Sequence, residues 1–336
     1  MSAAPSSGGE LRADLVFEGG GVKGIALAGA YLELSGRGYE PECVAGTSAG
    51  AITAALVAVG YSGTELQEIV LTQMHFPDFE DATALDRFGV AGETVQFLRT
   101  RGIHSGDYFL GWMRERLAAK GITRFGQLRD PAASSAARSY RLQVIASDLT
   151  ARSMLVLPRD AAQLGLDPDE LEIAEAVRMS MSIPIFFKPM TVGGGPSRPA
   201  HVIVDGGLLS NFPIWLFDCP VGQPPQFPTF GMLLVAPGAT APLLATPPSA
   251  AELPRVGGNM AFLKAIVDTM MEAHDRLYVQ QADYARTIPI PTLGVTTTEF
   301  DISPAQTAAL FESGRRAAAA FLDAWNFERY IAQFRS

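Results

Sequence analysis

Gly46, Thr47, Ser48, Ala49 and Gly50 stand between a short apolar run, Cys43 to Ala45, and a long one, Ala49 to Val59. No other stretch restricts the fold as much. A GxSxG pentapeptide flanked in this way reads as a strand that turns sharply into a helix, with the serine at the turn and its hydroxyl projecting from the fold. Gly46 and Gly50 allow a strained backbone and close approach of a second group. The helix that follows sets its positive end beside the serine oxygen. The same five residues also suit an ordinary turn in which Thr47 or Ser48 caps a helix. Taken alone they leave the two readings level, and the rest of the chain has to decide.

A second strand-to-helix turn precedes the first. Leu15, Val16 and Phe17 form a short buried strand, with order expected from Asp14 onward. The strand runs into Gly19, Gly20, Gly21, Val22, Lys23 and Gly24, ahead of a helix from Ile25 to Leu34. Such a loop presents backbone N–H groups to an anion. GGGVKG satisfies the dinucleotide pattern GxGxxG, and Glu40 and Glu42 follow about 20 residues on. In that motif, however, the ribose-binding acid closes the second strand; here both acids precede that strand, and GTSAG closes it. A nucleotide P-loop fails for want of GK[ST]. The third reading makes the N–H groups of Gly19, Gly20, Gly21 and Val22 an oxyanion hole for a carbonyl attacked by Ser48. Only this one accounts for both glycine motifs together. Lys23 then either adds a positive field or stands solvated.

With 336 residues, 48% hydrophobic and 18% charged, the chain can bury a large core. A net charge of −9 argues against a nucleic-acid partner, and without a basic run any membrane contact must be mainly apolar. Cys43 and Cys219 lie too far apart in sequence to suggest a metal site or a disulfide framework. Residues 1–12 read as a disordered leader without the pattern of a secretory signal. No apolar run reaches the length of a membrane span, so the expectation is a cytoplasmic protein with at most peripheral membrane contact.

Further along, Leu66, Ile69, Val70 and Met74 recur at helical spacing, as do Phe109, Trp112, Met113 and Leu117. Residues 62–131 are therefore expected to form a variable helical cap. Its helices either pack on the core or hold acyl chains over the site. Tyr140 to Ser147 and Met154 to Leu157 suggest a strand, a tight turn at Asp148 and a returning strand. A helix from Glu170 to Ser182 should stop before Pro184; Arg178, Ser180 and Ser182 near its end receive no role from pattern. His201 to Val204 is a compact strand delivering Asp205, Gly206 and Gly207, by itself a common turn. A serine, a strand-end aspartate and preformed N–H donors together supply a nucleophile, a base and an oxyanion stabiliser. Met260 to Tyr284 reads as a packed helix, and Ser303, Pro304 and Gln306 as the capped start of the terminal one.

With these elements in order, the chain resembles the patatin-like phospholipases. The resemblance rests on the glycine loop with Lys23, the elbow at Ser48 and the Asp205-Gly206-Gly207 turn. Further matches are SDLT at Ser147 to Thr150, AVRMSMSIPIFFKP at Ala176 to Pro189, NFP at Asn211 to Pro213 and the C-terminal FDIS with its helix. It implies one domain over residues 13–335, a three-layer α/β/α sandwich with a largely parallel sheet. It also implies a Ser48–Asp205 dyad without histidine, no cofactor or metal, and hydrolysis of phospholipid or lysophospholipid esters at a membrane surface. Gly46, Gly50, Gly206 and Gly207 would support the two turns. Two alternatives stand beside this reading: a Ser48–Asp205–His274 triad in the chain order of an α/β-hydrolase, and a catalytically silent lipid-binding protein on the same fold. Against the triad, only one strand is expected before the GTSAG strand. His201 would lie about 13 Å from Asp205 along a shared strand, and His75 and His104 fall in the cap.

Overall fold

The computed structural model describes residues 11–74, 78, 102–133, 135–195, 199–220, 223–236, 265–267, 269, 281–297 and 299–335. Residues 1–10 of the expected leader, His75, most of 75–101 in the expected cap, the proline-rich 237–254 and most of the expected helix at 260–284, His274 included, lie outside the described residues.

Among the described residues ten strands carry the fold: β1 (Leu11–Phe17), β2 (Tyr39–Thr47), β3 (Gly102–His104), β4 (Leu142–Asp148), β5 (Ser153–Leu157), β6 (Ile185–Phe187), β7 (Met190–Val192), β8 (His201–Asp205), β9 (Thr229–Val235) and β10 (Thr287–Pro291). Eight of them form one sheet in the order β10-β9-β1-β2-β4-β8-β7, with β5 paired to β4, while β3 and β6 pair separately. β10, β9, β1, β2 and β4 run parallel; β5 and β8 run antiparallel to β4, and β7 to β8. The fold is therefore α/β with a largely parallel sheet, as the alternation of strand and helix signals leads one to expect. β1 begins at Leu11, three residues before Asp14, because Leu11 and Arg12 already pair with Tyr39 and Glu40.

The strands alternate between two apolar layers, as the period of two in a pleated chain requires. Leu15 and Phe17 of β1, Val44 of β2, Val144 and Ala146 of β4 and Phe230, Met232 and Leu234 of β9 face the larger cluster. Val16, Cys43, Ala45, Ile145, Leu233 and Val235 face a smaller one with Phe212, Ile214, Leu216 and Phe217. On the larger side pack α1 (Ile25–Gly36), α2 (Ala49–Ala58), α3 (Gly63–Glu68), α4 (Asp107–Ala119), α5 (Ile173–Ser180) and α6 (Pro304–Ala324). Phe109, Trp112, Met113 and Leu117 are buried in this core, so the periodic face of α4 packs inward. Fully burying a side chain such as Phe17, Leu27 or Phe230 stabilises the fold by about 1.5–3 kcal/mol each.

One pair of helices is held by close approach. α1 crosses α6 where a Cβ at Gly29 would lie 1.9 Å from the Phe311 carbonyl oxygen, and one at Gly314 1.8 Å from that of Ala26. α6 starts with the expected capping box, the Ser303 hydroxyl on the Gln306 amide and the Gln306 side chain on the Ser303 amide, with Pro304 at the first helical position. Helix α5 is shorter than the expected 170–182, because the chain turns at Met181 and Ser182 before Pro184. Among the described residues no helix is long and apolar enough to cross a membrane.

Candidate active site

Sheet register brings the elbow and the aspartate together. β4 uses one edge for β5, whose pairing spans Val144 to Asp148. β2 pairs with Leu142 to Ile145 and β8 with Ala146 to Asp148, and each overlaps the β5 pairing. Both must therefore lie along the other edge of β4. β2 leaves that edge at Thr47, opposite Ile145, and β8 ends on it at Asp205, opposite Ala146. The two neighbouring positions on β4 thus set Asp205 beside the turn that carries Ser48.

Ser48 adopts φ 52° and ψ −125°, a conformation that a non-glycine residue holds only when its surroundings enforce it. The enforcement is visible. The Ser48 amide donates to Ser180 Oγ at 2.8 Å, and that hydroxyl donates onward to the Ile145 carbonyl at 2.6 Å. Thr47 Oγ1 donates to the Ser210 carbonyl at 3.0 Å. A Cβ at Gly46 would come 2.3 Å from the Gly50 carbonyl oxygen, and one at Gly50 2.2 Å from that of Phe17; these two positions admit only glycine. The Ser48 side chain does not cap α2, so the capping alternative for it is set aside.

Asp205 and Ser48 are both wholly buried (0% exposed). Asp205 Oδ1 accepts the Gly207 amide at 2.8 Å, and its own amide donates to the Ser182 carbonyl at 2.9 Å. Among the described residues Asp205 Oδ2 and Ser48 Oγ are left without a full hydrogen bond. Burial pushes the Asp205 carboxyl up to about 7; the neighbouring Ser48 hydroxyl and then the Gly207 amide pull it back down. The hydroxyl thus acts on the carboxyl while falling short of strict hydrogen-bond geometry. Catalytic contacts often tighten only once substrate is bound.

The glycine loop follows β1 and closes against the same turn. Gly21 has φ 54°, and a Cβ there would lie 2.0 Å from the Thr297 carbonyl oxygen. Of the four amides expected to hold an oxyanion, Gly19 donates to the Asn211 carbonyl (3.0 Å) and Val22 to that of Thr297 (3.1 Å). The amides of Gly20 and Gly21 have no acceptor among the described residues, and neither has that of Ala49, which sequence reading passed over. Ala49 could have been found from its place at the first position of α2, where an amide has no partner within the helix. A Cβ at Gly24 would come 2.7 Å from that of Ala49, so the N-termini of α1 and α2 meet here and their dipoles favour negative charge. Lys23 is half-buried in this turn, and no carboxylate pairs with its ammonium among the described residues.

Beside these donors lies a narrow apolar cavity of about 40 Å³, bordered by Gly21, Val22, Ala49, Ile52, Val70, Met74, Met181, Ile183 and Phe300. It touches the oxyanion loop and the residue after Ser48. The described histidines are engaged elsewhere. His201 Nδ1 lies 2.6 Å from Asp148 Oδ2, and His104 packs against Phe186 and Phe187. Asp148 Oδ1 accepts the amides of Thr150 (2.8 Å) and Ala151 (3.1 Å), a turn role. Gly206 closes on β4, where a Cβ would lie 2.3 Å from the Ile145 carbonyl oxygen.

Ser180 and Ser182, which pattern left without a role, hold the two key amides, and Arg178 braces Ser182. Arg178 Nη1 donates to Ser182 Oγ at 2.7 Å, and its Nη2 to the carbonyls of Ser105 (2.6 Å) and Lys188 (2.9 Å). The sequence shows these three polar residues close together at the end of a helix, but not their partners.

The chain is 37% identical over 321 residues to an uncharacterized protein of Bacillus subtilis, YqhO, covering 94% of this chain and 99% of that one. It is 27% identical over 208 residues to an NTE family protein of Mycobacterium tuberculosis, Rv2565, covering 59% of this chain and 27% of the other. Among solved structures, VipD from Legionella pneumophila aligns with 95% of this chain and 68% of its own, at 18% identity and a TM-score of 0.48. The patatin-like phospholipase family model matches residues 15–218, which take in the glycine loop, the elbow and the Asp205 turn, and the chain belongs to that family.

Proposed function

We propose that this protein is a lipid acyl hydrolase of phospholipase A or lysophospholipase type, working through Ser48 and Asp205. One observation carries the reading: two wholly buried side chains, a serine hydroxyl and a carboxyl, each keep an unpaired oxygen beside the other. Buried polar groups normally find partners, and an orphaned pair is what a proton transfer needs.

In the first half-reaction Asp205 Oδ2 takes the proton of Ser48 as its oxygen bonds to the ester carbonyl carbon. The amides of Gly20 and Gly21, with Ala49 as a third donor, receive the oxyanion. As the tetrahedral adduct collapses, the bond to the alkoxy group breaks, Asp205 gives that group its proton, and an acyl-serine remains. Water then attacks the acyl-serine, Asp205 takes the water proton, and Ser48 recovers a proton as the fatty acid leaves. An aspartate in water, with a pKa near 3.9, is a poor base at neutral pH; burial brings this one to about 7.

The apolar cavity beside the donors supports an acyl substrate. Pockets for ligands of drug size run to about 300–1,000 Å³, so a lipid chain must displace side chains. Met74 and Met181 on its wall are unbranched and adaptable. Substrate at a membrane surface, reached by peripheral contact, follows from the same lipid chemistry. The test is burst release from an activated ester with fluorophosphonate labelling of Ser48, followed by a lipidomic screen of wild type against Ser48→Ala. Absence of both burst and label would favour a silent lipid-binding protein on this fold.

A further inference from the structure

We propose that Ser180 and Arg178 are positioning residues for the Ser48–Asp205 pair. Ser180 fixes the strained turn at Ser48, and Arg178 fixes the turn whose Ser182 carbonyl holds the Asp205 amide. The inference rests on the Ser48–Asp205 reading and goes beyond it, because neither residue touches the reacting atoms.

The geometry begins with α5. Its last residue, Ser180, is wholly buried and places one hydroxyl between two elements. The hydroxyl accepts the Ser48 amide at 2.8 Å and donates to the Ile145 carbonyl of β4 at 2.6 Å. A hydroxyl has one proton and two lone pairs, so this bonding sets its direction fully. It couples the elbow to the β4 residue opposite Thr47. Ser48 holds φ 52° and ψ −125° only as long as such contacts outweigh the cost of the conformation. The Ser48 amide also has no role as an oxyanion donor while Ser180 occupies it.

Two residues on, the Ser182 carbonyl accepts the Asp205 amide at 2.9 Å. Ser182 is itself locked, its hydroxyl donating to the Arg178 carbonyl (2.9 Å) and accepting from the Arg178 guanidinium (2.7 Å). That guanidinium, 5.3 Å from the Phe187 ring centroid, reaches the carbonyls of Ser105 and Lys188 as well. A planar guanidinium spans several acceptors at once, and a lysine ammonium cannot reproduce the fork. One helix end thus fixes both members of the pair, the nucleophile through a side chain and the base through a main-chain carbonyl. The same arginine extends this frame to Ser105, ahead of α4, at the edge of the strand pair β3 and β6.

Displacing reacting atoms by about 1 Å costs on the order of 100-fold in rate. Ser180→Ala and Arg178→Lys should therefore lower kcat by roughly 10- to 100-fold and leave KM within about twofold, since neither side chain meets the substrate. Fluorophosphonate labelling gives two readouts: its end point counts folded sites, and its rate constant reports Ser48 reactivity. Kinetics are taken per labelled site on the full chain, with circular dichroism as the check on folding. A fall in kcat and in labelling rate, at full end point and unchanged KM, is the expected result. A kcat per labelled site within twofold of wild type in Ser180→Ala would overturn the inference, as it would mean that the serine only satisfies buried groups. Should Arg178→Lys fail to fold, Ser180→Ala, which removes a single oxygen, decides alone. The Ser48→Ala control separates the two levels. If it stays active, the dyad reading falls; if it is dead while Ser180→Ala is unimpaired, only this inference falls.

Discussion

Two buried aspartates in one sheet are treated in opposite ways. Asp14, in β1, lies three residues before Phe17, which is level with Gly46, so it sits about 10 Å down the sheet from the elbow. Like Asp205 it is 0% exposed. Its carboxylate is surrounded by donors: Arg138 at 2.5 and 3.1 Å, the Cys43 amide at 3.2 Å and the Thr229 hydroxyl at 3.5 Å. Arg138 in turn lies over the rings of Phe217 and Phe227. Among the described residues Asp205 has one amide and an unaligned hydroxyl, with no cation. Burial lifts both carboxyls, Asp14 to about 6 against the pull of Arg138 and Asp205 to about 7. A structural acid is kept charged by partners that saturate it. A base has to keep one oxygen free.

The largest expected effect tests the unsaturated acid. Asp205→Asn and Ser48→Ala should each lower kcat by roughly 1,000-fold or more. Both should fold, and Asp205→Asn should melt no lower than wild type at pH 8, because it removes a buried charge that nothing pairs. Steady-state hydrolysis and thermal melts check this. A marked drop in melting temperature with activity retained would make Asp205 a second structural acid and erase the contrast.

Asp14→Asn is the converse. Removing one partner of a largely buried pair leaves the other uncompensated, at about 3–5 kcal/mol. Arg138 keeps 20% of its side chain exposed, so the lower end, about 3 kcal/mol, is expected. Activity per folded molecule should be unchanged. Urea unfolding with active-site titration separates the two quantities.

What the sequence made legible follows from locality. The elbow, the glycine loop and the Asp205 turn each pair a short apolar run with glycine, and such signals lie within about ten residues of chain. Ser303 and Gln306 were legible for the same reason. The partition of the loop amides was not, since Gly19 and Val22 are occupied by carbonyls of Asn211 and Thr297, far along the chain. Nor was the frame at Arg178, Ser180 and Ser182, whose partners on Ser48 and Asp205 are set by the long-range pairing of β2 and β8 along one edge of β4. The ends of α5 moved inward from 170–182 because its flanking residues bond to β8 and to the 123–125 segment instead.

The pH response sharpens the contrast with a smaller effect. Asp205 must be ionised to accept a proton, so kcat/KM should rise about tenfold per unit below pH 7 and level off above. Stability should run the other way. The folded carboxyl holds its proton up to about 7, while in the unfolded chain it loses it near 3.8. The folded state thus binds more protons between these values, and stability falls as pH rises through that window, by up to about 1.4 kcal/mol per unit. Asp205→Asn should lose this part of the slope while keeping the part due to Asp14. Melts of the two proteins at pH 5, 6, 7 and 8 read the difference directly, and parallel curves would sink the account.

The smallest effect concerns a third buried acid, Asp148, which is 2% exposed and resembles Asp14 in being saturated. One oxygen holds the amides of Thr150 and Ala151, and the other meets His201 Nδ1. Because His201 begins the strand that ends at Asp205, this is the described histidine best placed to be mistaken for part of a triad. If it only ties β4 to the start of β8, His201→Asn should cost about 1 kcal/mol, the net worth of one hydrogen bond, and leave kcat within about twofold. Measuring both in the same preparation decides its role. A kcat loss above tenfold in a protein that still melts cooperatively would bring a histidine into the proton path. The division between saturated and unsaturated acids would then no longer locate the catalytic base.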